Sequence, residues 1–271
     1  MPTPARLRPL AELPAARLAA LRGVLTDIDD TLTRDGAIEP EALAALHALH
    51  AAGVPVIAIT GRPAGWSEPL LRAWPLRAVV AENGAVLLRR APAGQGDTVQ
   101  LDYTVDATRR AAHRLRLQAC AADILAQVPG ARLAADSAGR LTDIAIDHAE
   151  CHSLDEAAIA RVVALMHRHG LNATVSSIHV NGWIGSHDKF SAAQWAVPAC
   201  LGLAFDPADW VYIGDSTNDQ CMFERLPLSV GVANVTRFVA RMTALPAYVT
   251  PADRGRGFAQ LAAALLDSRA A

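Results

Sequence analysis

Gly23-Val24-Leu25-Thr26-Asp27-Ile28-Asp29-Asp30-Thr31 runs from an apolar segment directly into three carboxylates. A short apolar run bounded by polar residues reads as a buried strand that ends in a polar loop. Working outward, Glu39–Ala52 carries Leu43, Leu46 and Leu49 at helical spacing, and Gly53 is placed to end that helix. Val54–Thr60 (VPVIAIT) is a second apolar strand, again closing on polar residues. A short helix around Ser67–Ala73 leads to a third strand at Ala78–Ala81. This β-α-β-α-β order predicts a parallel sheet with helical crossovers.

The pattern then changes. Ala91–Gly96 reads as a turn segment, Tyr103–Val128 as a long helix, and Ala131–Ala135 and Thr142–Asp147 as strands. Ser153–Glu156 fits a capping box that opens a helix through Ile159, Val162, Val163 and Met166, with Gly170 as its stop and a strand at Ala173–Ser177 after it. Beyond Gly185 the first style resumes. A helix starts at Asp188, with a kink expected at Pro198, and a strand follows at Trp210–Ile213. A helix after Thr217, a strand at Ser229–Ala233 and a terminal helix from Phe258 complete the chain. The fold class expected is α/β: a Rossmann-like parallel-sheet core (residues 1–89 and 185–271) with an inserted α+β cap domain (90–184).

Three polar clusters leave predicted core strands at their carboxyl ends, where open α/β sheets bind ligands. Asp27 and Asp29 are separated by one residue, so one carboxylate can attack a ligand while the other transfers a proton. An acidic turn or helix cap is the plainer alternative for that cluster alone. Thr60-Gly61-Arg62 can hold phosphate oxygens with a hydroxyl and backbone N–H groups, although a Thr-Gly turn is often only a turn. Gly214-Asp215-Ser216-Thr217-Asn218-Asp219 sets two carboxylates on one loop, which suits a hard cation such as Mg²⁺, or else is an Asp-Ser turn with an Asn cap. Of 25 basic side chains only Lys189 is a lysine.

Taken together, Asp27-x-Asp29-x-Thr31, Thr60, Lys189 and Gly214-Asp215-x-x-x-Asp219 resemble the haloacid dehalogenase superfamily of phosphohydrolases. The likeness is to the branch whose α+β cap is inserted between the second and third motifs, and Glu82-Asn83-Gly84-Ala85 also resembles that branch. It covers roughly residues 23–88 and 186–250. The resemblance implies that Asp27 is the nucleophile and Asp29 the general acid and then base. It implies that Thr60, Gly61 and Lys189 bind the phosphoryl group, and that Mg²⁺ is held by Asp27, the Asp29 carbonyl, Asp215 and Asp219. The glycine usual after the second acid is here Asp30. The activity implied is hydrolysis of a small phosphomonoester through an aspartyl-phosphate, with a sugar phosphate as substrate class by analogy with sucrose-phosphate and mannosylglycerate-phosphate phosphatases. A phosphomutase of the phosphomannomutase type and a non-catalytic phosphate-ligand sensor are the competing readings.

A formal net charge of −2 with no basic or acidic block gives no electrostatic reason to expect nucleic acid or an anionic membrane as partner. Four scattered cysteines show no metal or disulfide spacing, and the N-terminal stretch lacks an export signal's apolar run, so a cytoplasmic protein is expected. His148–His152 reads as a surface loop rather than a metal site, and Met166–His169 as a helix end. Ser176–Trp183 leads back towards Lys189, balanced between a plain hairpin and a substrate-contact loop. Arg62, Asn218, His179 and Asn181 are the candidate substrate contacts, Arg62 being equally readable as half of a surface salt bridge.

Overall fold

The computed structural model describes residues 7–91 and 98–270. Apart from Ala91, the turn expected at Ala91–Gly96 lies outside the described residues. The chain opens with β1 (Arg8–Pro9) and α1 (Ala15–Ala19), then β2 (Gly23–Thr26), which is buried along its length. A small hairpin, β3 (Thr33–Arg34) and β4 (Ala37–Ile38), turns at Asp35 and Gly36, both with positive φ as a two-residue hairpin turn demands. Next come α2 (Pro40–Ala51), β5 (Val56–Ile59), α3 (Ala64–Ala73), β6 (Ala78–Ala81), β7 (Val86–Arg90) and β8 (Val99–Tyr103). The middle of the chain forms α4 (Ala107–Gln127), β9 (Arg132–Leu133), β10 (Asp143–Asp147), α5 (Glu156–Arg168), β11 (Asn172–Val175) and β12 (His179–Trp183). It returns through α6 (Lys189–Leu201), β13 (Trp210–Gly214), α7 (Gln220–Arg225), β14 (Leu228–Gly231), β15 (Tyr248–Val249) and α8 (Arg254–Ala270).

Among the described residues the large sheet has nine strands in the order β1-β15-β14-β13-β2-β5-β6-β7-β8. It is parallel from β1 to β6, and the β7–β8 hairpin is added antiparallel at one edge. Because side chains alternate along a strand, β2 and β5 feed two apolar layers. Val24, Val56 and Ala58 join α1, α2, α3 and α8 on one face, and Leu25, Ile57 and Ile59 join α6 and α7 on the other. Leu25 and Ile57 are completely buried, each worth about 1.5–3 kcal/mol by transfer from water. Thr26 of β2 is in register with Ile213 of β13 and Ala58 of β5. The loops that follow these three strands therefore leave the sheet side by side.

The second sheet is antiparallel, in the order β11-β12-β10-β9, and packs on α4 and α5 through Leu117, Ile124, Ile146, Val162, Met166 and Val180. Two expectations need correcting here. The core sheet does not stop at residue 89, because β8 pairs with β7 from Arg90–Val99 to Val86–Tyr103, so the insertion begins beyond Tyr103. The helix expected from Tyr103 starts at Ala107, where the Asp106 side chain caps it by accepting the Arg109 N–H at 2.9 Å. The segment Ser176–Trp183 contains a full strand, β12, paired to both β10 and β11. Its Gly182 is needed for packing, since a Cβ there would stand 2.7 Å from the Met166 sulfur.

Candidate active site

Asp27 is the first residue beyond β2, and its N–H is tied to the Ile213 carbonyl of β13 at 2.9 Å. The sheet thus delivers its carboxylate to the gap between two strand ends. Lys189, the first residue of α6, reaches into the same gap, and Asp188 and Ser191 form a capping box at that helix start. The Lys189 ammonium donates to Asp27 Oδ1 at 2.8 Å, to Asp219 Oδ1 at 2.7 Å and to the Tyr212 hydroxyl at 3.3 Å. Only 2 % of Lys189 is exposed, so this cation is dedicated to its two carboxylates. Burial works against its charge, but Asp219 and Asp27 together hold its pKa above the usual lysine range. Burial pushes the Asp27 carboxyl upward, Lys189 pulls it back, and Asp219 and Asp29 raise it again.

Asp219 is fully engaged inside the protein. Its Oδ1 takes Lys189 and the Tyr212 hydroxyl, and its Oδ2 accepts the N–H groups of Asp215 at 2.8 Å and Ser216 at 3.0 Å. Gly214 makes this possible, since a Cβ there would lie 2.4 Å from Asp219 Oδ2. Asp215 differs. Its Oδ2 accepts from Asn234 Nδ2 at 3.2 Å, but its Oδ1 is buried with no hydrogen-bond partner. Burial, then Asp219, Asp27 and Asp30, push this carboxyl well above its ordinary range. Oxygens of Asp27, Asp215 and Asp219 lie within 4.8 Å of one another. An orphaned carboxylate oxygen beside a second carboxylate is a donor set for a small hard cation, which prefers oxygen ligands and relieves this crowding of negative charge.

Thr60 follows β5 and is completely buried, its hydroxyl accepting the Arg62 N–H at 3.0 Å. The Gly61 carbonyl accepts Arg140 Nη1 at 2.9 Å and Asn181 Nδ2 at 3.2 Å, both from the second sheet's layer. Asn181 Oδ1 and Asn83 Oδ1 would each stand 3.2 Å from a Cβ at position 61, so glycine lets these side chains close over the turn. Arg62 is neither free for a ligand nor half of a surface pair. It is 4 % exposed and lies over Trp66. Its Nε and Nη2 bind both oxygens of Asp29 at 3.0–3.1 Å, Nη1 binds Asp136 at 3.1 Å, and Nη2 binds Glu150 at 2.7 Å. His179 Nε2 meets the other oxygen of Glu150 at 2.8 Å. The hydrogen bond from His179, with the Arg62 charge, draws Glu150 down to about 2 against the effect of burial.

Asp29 therefore points its carboxylate at Arg62. Asn218 is buried and accepts a hydrogen bond from Ser216 at 2.9 Å. A crevice of about 10 Å³ brings together Asp27, Asp29, Thr60, Gly61, Arg62, His179, Asn181 and Asn218. It shares Asp29, Arg62 and Ile178 with a polar cavity of about 360 Å³ that extends to Asp30, Asp35, Arg237 and Arg254. Lys189, Asp215 and Asp219 sit behind the crevice, around Asp27. Sequence reasoning missed Asp136, Arg140, Tyr212 and Asn234, which carry no local motif, and Glu150, which stood in the His148–His152 stretch read as a surface loop but binds Arg62 and His179. Glu82 lay in a quoted motif without a role. It is buried and accepts from Ala64 N, Leu141 N, Thr142 N and the Thr142 hydroxyl, joining the core turn to the second sheet. In the His148–His152 loop, Asp147 gathers the N–H groups of residues 149–152, as befits a structural loop.

Residues 24–101 match the model of the haloacid dehalogenase-like hydrolase family. No curated protein matches the chain. Among solved structures, protein 0175 of Thermoplasma acidophilum superposes with a TM-score of 0.69 at 18% identity, over 91% of this chain and 98% of that one. The sucrose-phosphatase of Synechocystis, solved with sucrose and phosphate, gives 0.62 at 16% identity, over 90% and 98%. A haloacid dehalogenase-like hydrolase of Bacteroides thetaiotaomicron gives 0.60 at 14% identity, over 90% and 98%. At such identities the likeness is one of fold.

Proposed function

We propose that this chain is a haloacid dehalogenase-like hydrolase, a reading supported by the family match over residues 24–101 and by the shared fold, and that it hydrolyses a small phosphomonoester through a phosphoryl intermediate on Asp27. The observation that carries the reading is the buried Lys189 ammonium held at 2.8 Å from Asp27 while Asp215 keeps an unpartnered oxygen beside the same carboxylate. A carboxylate attacking a phosphate dianion must overcome like-charge repulsion, and cations fixed where charge shifts in the transition state provide the largest relief. Asp27, Asp215 and the Asp29 carbonyl would hold Mg²⁺, with Asp219 keeping Lys189 and the 215–216 turn in place. Bound there, the ion would supply Lewis-acid charge neutralisation.

The chain's own residues then divide the work. Asp27 forms the new bond to phosphorus as the ester oxygen departs, and that oxygen takes a proton from Asp29. In the second half Asp29 removes a proton from water, which attacks phosphorus and frees Asp27 with release of inorganic phosphate. Arg62 pairs with the Asp29 carboxylate, so Asp29 must exchange Arg62 for a proton before the first half. A substrate that enters between Arg62 and Asp29 would bring about that exchange. The Thr60 hydroxyl and the Gly61 N–H are the donors proposed for the phosphoryl oxygens. Because the crevice has barely the room of one water molecule, substrate entry requires the layer carrying His179 and Asn181 to move away. A sugar phosphate is the substrate class proposed, in keeping with the fold shared with the sucrose-phosphatase and with the polar lining of the adjoining cavity.

The test is a panel of phosphorylated metabolites assayed for released phosphate with Mg²⁺, with EDTA, and with the Asp27→Asn variant. Turnover should stop in EDTA, return with Mg²⁺ and be absent from the variant, whose amide cannot form the acyl-phosphate. Isomerised ester without free phosphate would identify a mutase instead, and binding without turnover a sensor.

A further inference from the structure

Asp30 and Arg254 both adopt left-handed backbone, with φ of +54° and +49°, a conformation that glycine enters freely and other residues hold only under constraint. The constraint is mutual. Arg254 Nε donates to Asp30 Oδ1 at 2.6 Å, and the two side chains are only 12 % and 17 % exposed. Arg254 N–H donates to Asn234 Oδ1 at 2.9 Å. Asn234 Nδ2 in turn donates to the Asp30 carbonyl at 3.0 Å and to Asp215 Oδ2 at 3.2 Å. Asp30, Arg254 and Asn234 thus close a ring of hydrogen bonds that joins the loop after β2, the turn after β14 and the start of α8. Apart from a longer ion pair of Arg254 Nη1 with Asp253 at 3.7 Å, the ring reaches outward to the carboxylate of Asp215. Fixing Oδ2 decides which way Oδ1, the unpartnered oxygen, is presented.

We propose that the Asp30–Arg254 pair, locking Asn234, is a positioning device that orients the Asp215 carboxylate for a divalent cation. The inference rests on the metal reading given above for Asp215. A plain tack holding α8 to the core would use the same ion pair, but it would affect stability alone. A plain charge effect would change cation affinity with a defined sign. Asp30→Gly removes a negative charge near Asp215 and should weaken cation binding, whereas Arg254→Met leaves Asp30 uncompensated and should tighten it. The positioning device weakens binding in both variants. Partners behind a ligand commonly change metal affinity by about 10–100-fold, and residues acting as one unit are not additive.

The experiment is calorimetric titration of the metal-free full chain with Mg²⁺, alongside thermal melts, for the wild type, Asp30→Gly, Arg254→Met, the double variant and Arg254→Lys. Each single variant should bind Mg²⁺ about tenfold or more weaker, the double no weaker than the worse single, and Arg254→Lys in between. Arg254→Met binding as tightly as the wild type, or multiplicative losses in the double, would overturn the proposal. Should Arg254→Met fail to fold, unchanged affinity in both Asp30→Gly and Arg254→Lys overturns it equally. A wild type that does not bind Mg²⁺ would instead refute the metal reading on which the proposal stands.

Discussion

Replacing Lys189 by methionine removes a buried charge at almost constant shape. The ammonium touches Asp27 at 2.8 Å and Asp219 at 2.7 Å. With an effective dielectric of about 20, each contact contributes roughly 6 kcal/mol of Coulomb attraction. Desolvating the ammonium and the carboxylates takes back much of this, and deleting one partner of a buried pair costs about 3–5 kcal/mol in practice. For a chain of this size roughly 2 °C of melting temperature accompanies each kcal/mol, so Lys189→Met should melt about 6–10 °C below the wild type without divalent cations. Asp27, Asp215 and Asp219 are then left crowded within 4.8 Å, so Mg²⁺ should raise the variant's melting temperature more than it raises the wild type's. Melting by circular dichroism with EDTA and with Mg²⁺, next to a phosphate-release assay, measures both effects. A variant that melts within about 2 °C of the wild type in EDTA and keeps its turnover would refute the reasoning. Lys189→Arg keeps the charge but over-packs a fully buried site at a cost of about 1–3 kcal/mol, and its kcat should fall on the order of 10²-fold because the cation is displaced.

Gly214→Ala places a methyl group 2.4 Å from Asp219 Oδ2 and should lower stability by about 1–3 kcal/mol while releasing the 215–216 turn; an unchanged denaturant midpoint would contradict the packing described. His179→Ala should change the ranking of accepted metabolites while a small generic phosphate ester is still cleaved, since His179 bears on Glu150 and Arg62 rather than on Asp27; equal loss on large and small substrates would make it structural. Burial holds His187 down at about 4 in the folded state, so the unfolded chain takes up its proton first, at 6.5, and stability should decline as pH falls from 6.5 to 4. His187→Leu should flatten the melting temperature over that window. Glu150, drawn to about 2, adds stability above pH 4.5 that is lost as pH falls from there towards 2, and Glu150→Gln should show no such loss below pH 4.5.

Much of the core was legible because its signals are local. GVLT, VIAI and WVYIG are apolar over the length of a strand, and each meets a polar turn at once, so strand, loop and candidate ligand are contiguous in the chain. Asp27, Thr60, Lys189 and Asp215 stand within one or two residues of an element end, where residue type and position coincide. β12 was not legible because it carries His179 and Asn181, which read as polar although both are buried, with His179 Nε2 bonded to Glu150 and Asn181 Nδ2 to the Gly61 carbonyl. β8, Val-Gln-Leu-Asp-Tyr, was missed as part of the core because only its pairing with β7 assigns it to that sheet.

By itself the sequence determined where the central parallel strands lie along the chain and which acids leave them, since both depend on neighbours in the chain. Only the tertiary structure decided how the charges are partnered. Arg62 binds Asp29 from 33 residues away and Glu150 from 88, and Lys189 reaches Asp27 across 162. Asp219 is consumed by Lys189, Tyr212 and two N–H groups, while Asp215 retains a bare oxygen. The physical reason is that hydrophobic periodicity is written along the chain, whereas a buried charge takes whichever counter-charge the fold brings within about 3 Å and excludes from water.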